Sequence, residues 1–198
     1  MIAAAAALWF VAPVIAPFDP SFYTPPSPLP AGLQPARFED YRGKRVMCMS
    51  GPECSPATET FAGWYGKIGP SQRRVRVELS ALAPATAISD GAWARKVRLM
   101  TYDLLRRPHR WFQHRGGTLR VWRSARGRIA QSEVQYGGRE TDPAWKLARH
   151  EERDGWTLYI AIRYDGVPDE ATRALLRAAF VDGPLGAPPA TAKAGPVQ

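Results

Sequence analysis

From Trp156 to Tyr164 every second residue is large and apolar: Trp156, Leu158, Ile160, Ile162 and Tyr164, with Thr157, Tyr159, Ala161 and Arg163 between them. Successive side chains of an extended strand point to opposite faces, so a period of two sets one apolar face against a core and excludes an amphipathic helix. The same alternation runs through residues 74–82, where Val75, Val77, Leu79 and Ala81 interleave with Arg74, Arg76, Glu78 and Ser80. Gly69-Pro70-Ser71-Gln72 supplies a turn before it, and residues 61–68 supply a partner strand, which predicts a hairpin. A second hairpin is expected from residues 118–124 and 129–136 around Ala125-Arg126-Gly127-Arg128. A chain built this way has to find a cover for one face of a largely antiparallel sheet.

Helical spacing offers that cover. Trp93, Val97, Met100 and Leu104 fall on one stripe of an expected helix over residues 92–107, capped by Ser89 or Asp90 and ended by Pro108. Thr141-Asp142-Pro143 reads as the start of a short helix through Trp145 and Leu147. A last helix over residues 169–180 carries Leu175, Leu176 and Phe180 on its apolar side. The expected fold is α+β: about five largely antiparallel strands with two or three helices packed on them. At 198 residues the chain has room for one such domain and not for two large ones.

The ends differ in composition. Residues 2–18 carry no charge. Seventeen residues is short against the roughly 20 needed to span a bilayer and close to the length of a signal-peptide core. Three readings stand: an uncleaved membrane anchor, a cleaved signal peptide, and an apolar helix on the domain that Pro13 and Pro17 would break. Residues 19–36 are proline-rich and are expected as an extended linker, reaching on the order of 50 Å at ~3.1 Å per residue, or else as an arm laid across the domain. Residues 37–182 form the expected globular domain. Residues 183–198 offer little to bury and are expected to be a disordered tail.

Cys48 and Cys54 are the chain's two cysteines and flank a Gly51-Pro52 turn. In an exported chain such a pair favours a short disulfide loop; free thiols, or a copper site drawing on Met47 and Met49 as well, are the alternatives. No metal or cofactor is called for by the sequence.

Charge is concentrated in one place. Residues 93–128 hold eleven Arg or Lys against the single acid Asp103, a net of +10, while the whole chain carries +9. Everything else is therefore close to neutral, and a local excess of this kind suggests an anionic partner. The expected anion-binding residues are Arg106, Arg107, Arg110, Arg115, Arg120 and Arg123. They are set around the loop 108–117 that also carries Trp111 and Phe112.

Catalytic signatures are missing: there is no phosphate-binding glycine loop, no G-x-S-x-G elbow, no H-E-x-x-H and no G-x-G-x-x-G. His109 and His114 sit among arginines, and His150 beside Glu151-Glu152 reads as part of a solvated loop. The sequence expectation is a noncatalytic cell-envelope protein, anchored at the inner membrane facing the periplasm or exported. Its basic face would meet an anionic membrane surface, an acidic polysaccharide or an envelope protein. An envelope enzyme acting on an anionic glycan is the runner-up. A nucleic-acid-binding domain is a further alternative, disfavoured because an exported protein rarely meets that partner.

Overall fold

The computed structural model describes residues 21, 23–36, 58–82, 117–137, 143–153 and 155–197. The N-terminal apolar run, Cys48 and Cys54, the expected helix 92–107 and the arginines Arg106, Arg107, Arg110 and Arg115 lie outside the described residues. Within them the chain forms eight strands and one short helix. The strands are β1 (Leu33–Pro35), β2 (Thr58–Ile68), β3 (Arg73–Leu82), β4 (Gly117–Ser124), β5 (Gly127–Tyr136), β6 (Ala144–Arg153), β7 (Trp156–Asp165) and β8 (Lys193–Val197). Helix α1 is Glu170–Arg177.

All neighbours pair antiparallel in one sheet, in the order β1-β2-β3-β7-β6-β5-β4-β8. Strands β4 to β7 form a continuous meander, and the β2–β3 hairpin joins its flank through β3–β7. Pairing of Leu82 with Thr157 and of Val75 with Tyr164 sets that long-range register. The two alternating runs that dominate the sequence are thus neighbours in space. Their apolar faces coincide because the register matches Val77 with Ile162 and Leu79 with Ile160.

The expectation of five strands and two or three helices is overturned by these eight strands and one two-turn helix; only the coarse α+β class is retained. The segment after Thr141-Asp142-Pro143 departs furthest from expectation. It is strand β6, not a helix, and His150 and Glu151 lie inside that strand, both buried, and not in a solvated loop. The cause is burial on both faces. Trp145, Leu147, Arg149 and Glu151 point to the helix side, Ala148 and His150 to the other, and all six are buried. A strand covered on both sides has no polar face to alternate with its apolar one. Proline at the entrance of a strand is as acceptable as at the entrance of a helix.

The core lies between the sheet and α1. Trp64, Val75, Val77, Leu79, Trp145, Leu147, Ile160, Ile162 and Tyr164 pack against Leu176, Phe180 and Val181. Asp169 starts the helix by accepting a 2.7 Å hydrogen bond from the Thr172 amide. After Arg177 the helix widens into a π turn, Ala178–Asp182, closed by the Gly183 amide reaching the Ala178 carbonyl. The extra residue in the turn directs Phe180 and Val181 together into the core, where Phe180 lies 5.1 Å from the Trp64 ring. Leu175, expected on the apolar side, is 46% exposed.

Residues 23–36, expected as a stalk, lie on the domain. Tyr23 is buried against Trp64 with ring centroids 6.2 Å apart, and its hydroxyl donates to the Phe180 carbonyl at 3.1 Å. Strand β1 then closes on β2 through two glycines. Gly32 has φ +90°, and a Cβ there would lie 2.1 Å from the Lys67 carbonyl oxygen; one at Gly66 would lie 1.9 Å from that of Gly32. Prolines kept the arm extended, and a single tyrosine gives it something to bury. Tyr23→Phe is expected to cost about 1 kcal/mol, the net value of one buried hydrogen bond. The urea midpoint should fall with an unchanged m value. An unchanged midpoint would mean that the phenol does not anchor the arm.

The expected disordered tail is also corrected. Gly183–Leu185 forms a further helical turn, and Lys193–Val197 pairs with β4 as the edge strand. Pairing of this kind rests on backbone groups and needs no apolar side chains, so composition carried no sign of it. No helix among the described residues is long and apolar enough to cross a membrane.

Candidate anion-binding cleft

Helix α1 covers β2, β3, β7 and β6 but leaves β4 and β5 open on the same side. The gap is a cleft of about 540 Å³, walled by Glu170, Arg173 and Arg177 of α1 and floored by Arg120, Gln131, Glu133 and Trp145 of the sheet. Strand pairing explains the floor. Arg120 lies opposite Gln131 in the β4–β5 register, and Glu133 stands two residues further along the same face of β5.

Glu133 is the hub. Its Oε1 accepts from the Trp145 indole Nε1 at 2.9 Å and lies 3.8 Å from Arg173 Nη1, while its Oε2 accepts from Arg177 Nη2. Arg177 Nε also lies 4.0 Å from Asp182 Oδ2. Burial pushes the Asp182 carboxyl above its ordinary value; Arg177, Arg149 and Arg120 pull it back, and Glu133 adds to the rise. Both helix arginines are thus matched by an acid.

Arg120 is not. It is exposed in the cleft and has no hydrogen bond or ion pair among the described residues; its charge reaches Asp182 only through space. Beside it Gln131 is 3% exposed, and its side-chain carbonyl Oε1 has no hydrogen-bond partner among the described residues. A buried amide oxygen without a partner costs about 1–3 kcal/mol, which makes it a place where a donor is wanted. The cleft therefore offers one surplus guanidinium beside a Gln131 amide whose oxygen is buried in the cleft floor without a partner among the described residues. Glu133 has both oxygens engaged and fastens α1 to the sheet; it is not placed to move a proton.

Of the arginines expected to bind anions, Arg120 is in this cleft and Arg123 is not. Three residues along a strand is an odd step, so Arg123 faces the other side of the sheet, beside Arg128 and Lys193. What joins Arg120 is Arg173 and Arg177, which charge counting over residues 93–128 could not include. Their i, i+4 spacing on the last helix was the available signal.

A second cluster lies further along the same side. Arg149 Nη2 lies 3.0 Å from Glu151 Oε2, and Arg153 Nε 2.9 Å from Glu151 Oε1. Arg149 also donates to the carbonyls of Gly186 at 2.6 Å and Leu185 at 3.1 Å, and its guanidinium lies 5.3 Å from the Trp122 ring. Its Nη1 and Nη2 donate to the turn and to Glu151, so this cluster ties the turn after α1 to β6. Among the described residues no group of three or more His, Cys, Asp or Glu is arranged to hold a metal ion.

No protein-family profile, curated protein or solved structure matches the chain.

Proposed function

We propose that this chain is a noncatalytic binding protein of the cell envelope, anchored or exported through its uncharged N-terminal run, and that the cleft beside Arg120 holds an acidic saccharide. The observation that carries the reading is the pairing of Arg120 with the vacant Gln131 carbonyl. A carboxylate satisfies the guanidinium, and only a ligand with a donor such as a hydroxyl also satisfies the amide oxygen. Uronic acid residues present both groups on one ring. An anionic lipid surface supplies the charge alone.

Calorimetric titration with oligogalacturonate, with a neutral oligosaccharide of equal length and with anionic phospholipid vesicles separates these ligands. Oligogalacturonate is expected to bind and the neutral chain is not. Arg120→Ala should weaken binding about ten- to hundredfold, the range for one hydrogen bond to a charged group. The melting temperature should hardly change, because an exposed arginine without an acid partner contributes little to stability. Vesicle binding that survives Arg120→Ala, with no saccharide binding, would move the anionic contact off this cleft.

A further inference from the structure

The other side of β4 carries an observation independent of the cleft. Strand β4 is GTLRVWRS, rich in residues that favour extended backbone, yet the strand completing its edge is KAGPV. Lysine, alanine, glycine and proline are all depleted in strands. Lys193 and Ala194 are exposed, and none of the described residues lies within 4 Å of where a Cβ on Gly195 would stand. A well-formed strand is thus capped by one that fills no space.

The space left over has a definite chemistry. On the side of the sheet opposite the cleft, Leu119, Val121, Arg123, Arg128, Lys193 and Gly195 line a groove of about 380 Å³. The register sets Gly195 opposite Leu119 and Lys193 opposite Val121. Beside Gly195 the groove is apolar. Around Lys193 it holds three cations, and the nearest acid, Glu152, lies outside its lining and accepts from the Arg128 amide at 3.1 Å. The edge strand brings a positive charge to a site that already has two.

We propose that the β4 edge is a docking site for an extended segment of a partner protein, and that β8 is a weak intramolecular occupant of that site. The partner strand pairs antiparallel with β4 and displaces β8. It carries an acidic residue at the Lys193 position and a branched apolar residue at the Gly195 position. Backbone pairing supplies adhesion and the alternate side chains supply selection, as in other cases of strand addition. Strand β8 carries a lysine and a proline, residue types that discourage further pairing at an edge, so the site is β4 and not a further row beyond β8.

Two peptides test this on the full-length chain: fluorescein-labelled Glu-Thr-Val-Thr-Val, which places these residues in register, and its twin with Lys for Glu. The chain is used as wild type and as the variant Ala194→Pro/Gly195→Pro. Neighbouring amides of a strand point in opposite directions, so two consecutive prolines remove the inward one whichever it is. The Glu peptide is expected to bind the proline variant at least tenfold more tightly than wild type. The Lys twin should bind the variant at least tenfold more weakly than the Glu peptide.

Equal affinity of the two peptides, equal affinity of the two chains, or no binding at all would overturn the proposal. So would a proline variant that dimerises through this edge and excludes the peptide. A third chain, Lys193→Glu/Gly195→Val, carries the proposed side chains on β8 itself and decides the matter even if the proline variant does not fold. Amide exchange over residues 193–197 should slow at least tenfold in it, and exchange as fast as in wild type would also overturn the proposal.

Discussion

Alanine in place of Arg149 is expected to cost the domain about 3–5 kcal/mol, the range for removing one member of a buried ion pair. Arg149 is 3% exposed and joins Glu151 to the Leu185 and Gly186 carbonyls. Burial lowers its pKa from the ordinary guanidinium value, and the charge and hydrogen bond of Glu151 hold it up. Without it, Glu151 keeps only Arg153, and the Leu185 and Gly186 carbonyls lose their shared donor. The turn after α1 would then be free to lift from β6. Chemical denaturation should show the loss, and amide exchange should place it in residues 183–187. The pair of charges need not itself be stabilising, because desolvation offsets most of its attraction. Arg149→Met/Glu151→Leu should therefore be less destabilised than Arg149→Met alone, since Arg153 can turn to water and no carboxylate is stranded. A double variant at least as unstable as the single one would show that the ion pair contributes net stability.

The same cluster explains why the middle of the sheet was hard to read from the sequence. Strands β3 and β7 announced themselves because one face is aliphatic and the other carries Arg76, Glu78 and Arg163. Their pairing aligns those faces residue by residue. Strand β6 has the same geometry, but its core-side positions change from Trp145 and Leu147 to Arg149 and Glu151, and the other side buries Ala148 and His150. Charged residues in a row suggest a loop until each is given a partner, and those partners are in strand β6 and the turn after α1, far apart in sequence. The helix signal at Pro143 filled the vacancy. A two-residue step between Trp145 and Leu147 fits a strand better than a helix.

The candidate cleft was half legible. Arg120 stood out through the charge excess of residues 93–128, but grouping it with Arg123 treated a charge cluster in sequence as a charge cluster in space. A strand separates odd steps onto opposite faces, and here that puts one arginine in the cleft and the other beside the groove under β8. The Gln131 carbonyl has no sequence signature at all. Its significance comes from burial without a partner, which depends on β4 lying on one side, β6 on the other and α1 stopping short above.

Acid should weaken this fold through His150. The imidazole is 0% exposed on β6, with its ring stacked on Tyr159 at 4.8 Å and Lys146 over the same Tyr159 ring at 5.7 Å. Burial, and then the Lys146 charge, push its pKa from the ordinary 6.5 down to about 3, while the Ala130 backbone nearby pulls the other way. The folded protein therefore holds this histidine neutral where the unfolded chain would protonate it. Its contribution is complete above pH 6.5 and is lost progressively as the pH falls from there towards 3, because the unfolded state then binds the extra proton. At about 1.36 kcal/mol per pK unit, the loss should reach about 2 kcal/mol by pH 5. His150→Phe keeps a ring against Tyr159 and removes the titration. Urea unfolding of both proteins at pH 7.5 and pH 5.0 isolates the histidine, since the carboxylates are common to the two. The wild type should lose about 2 kcal/mol more than the variant across that interval. Equal losses would mean that the imidazole takes up its proton inside the folded sheet.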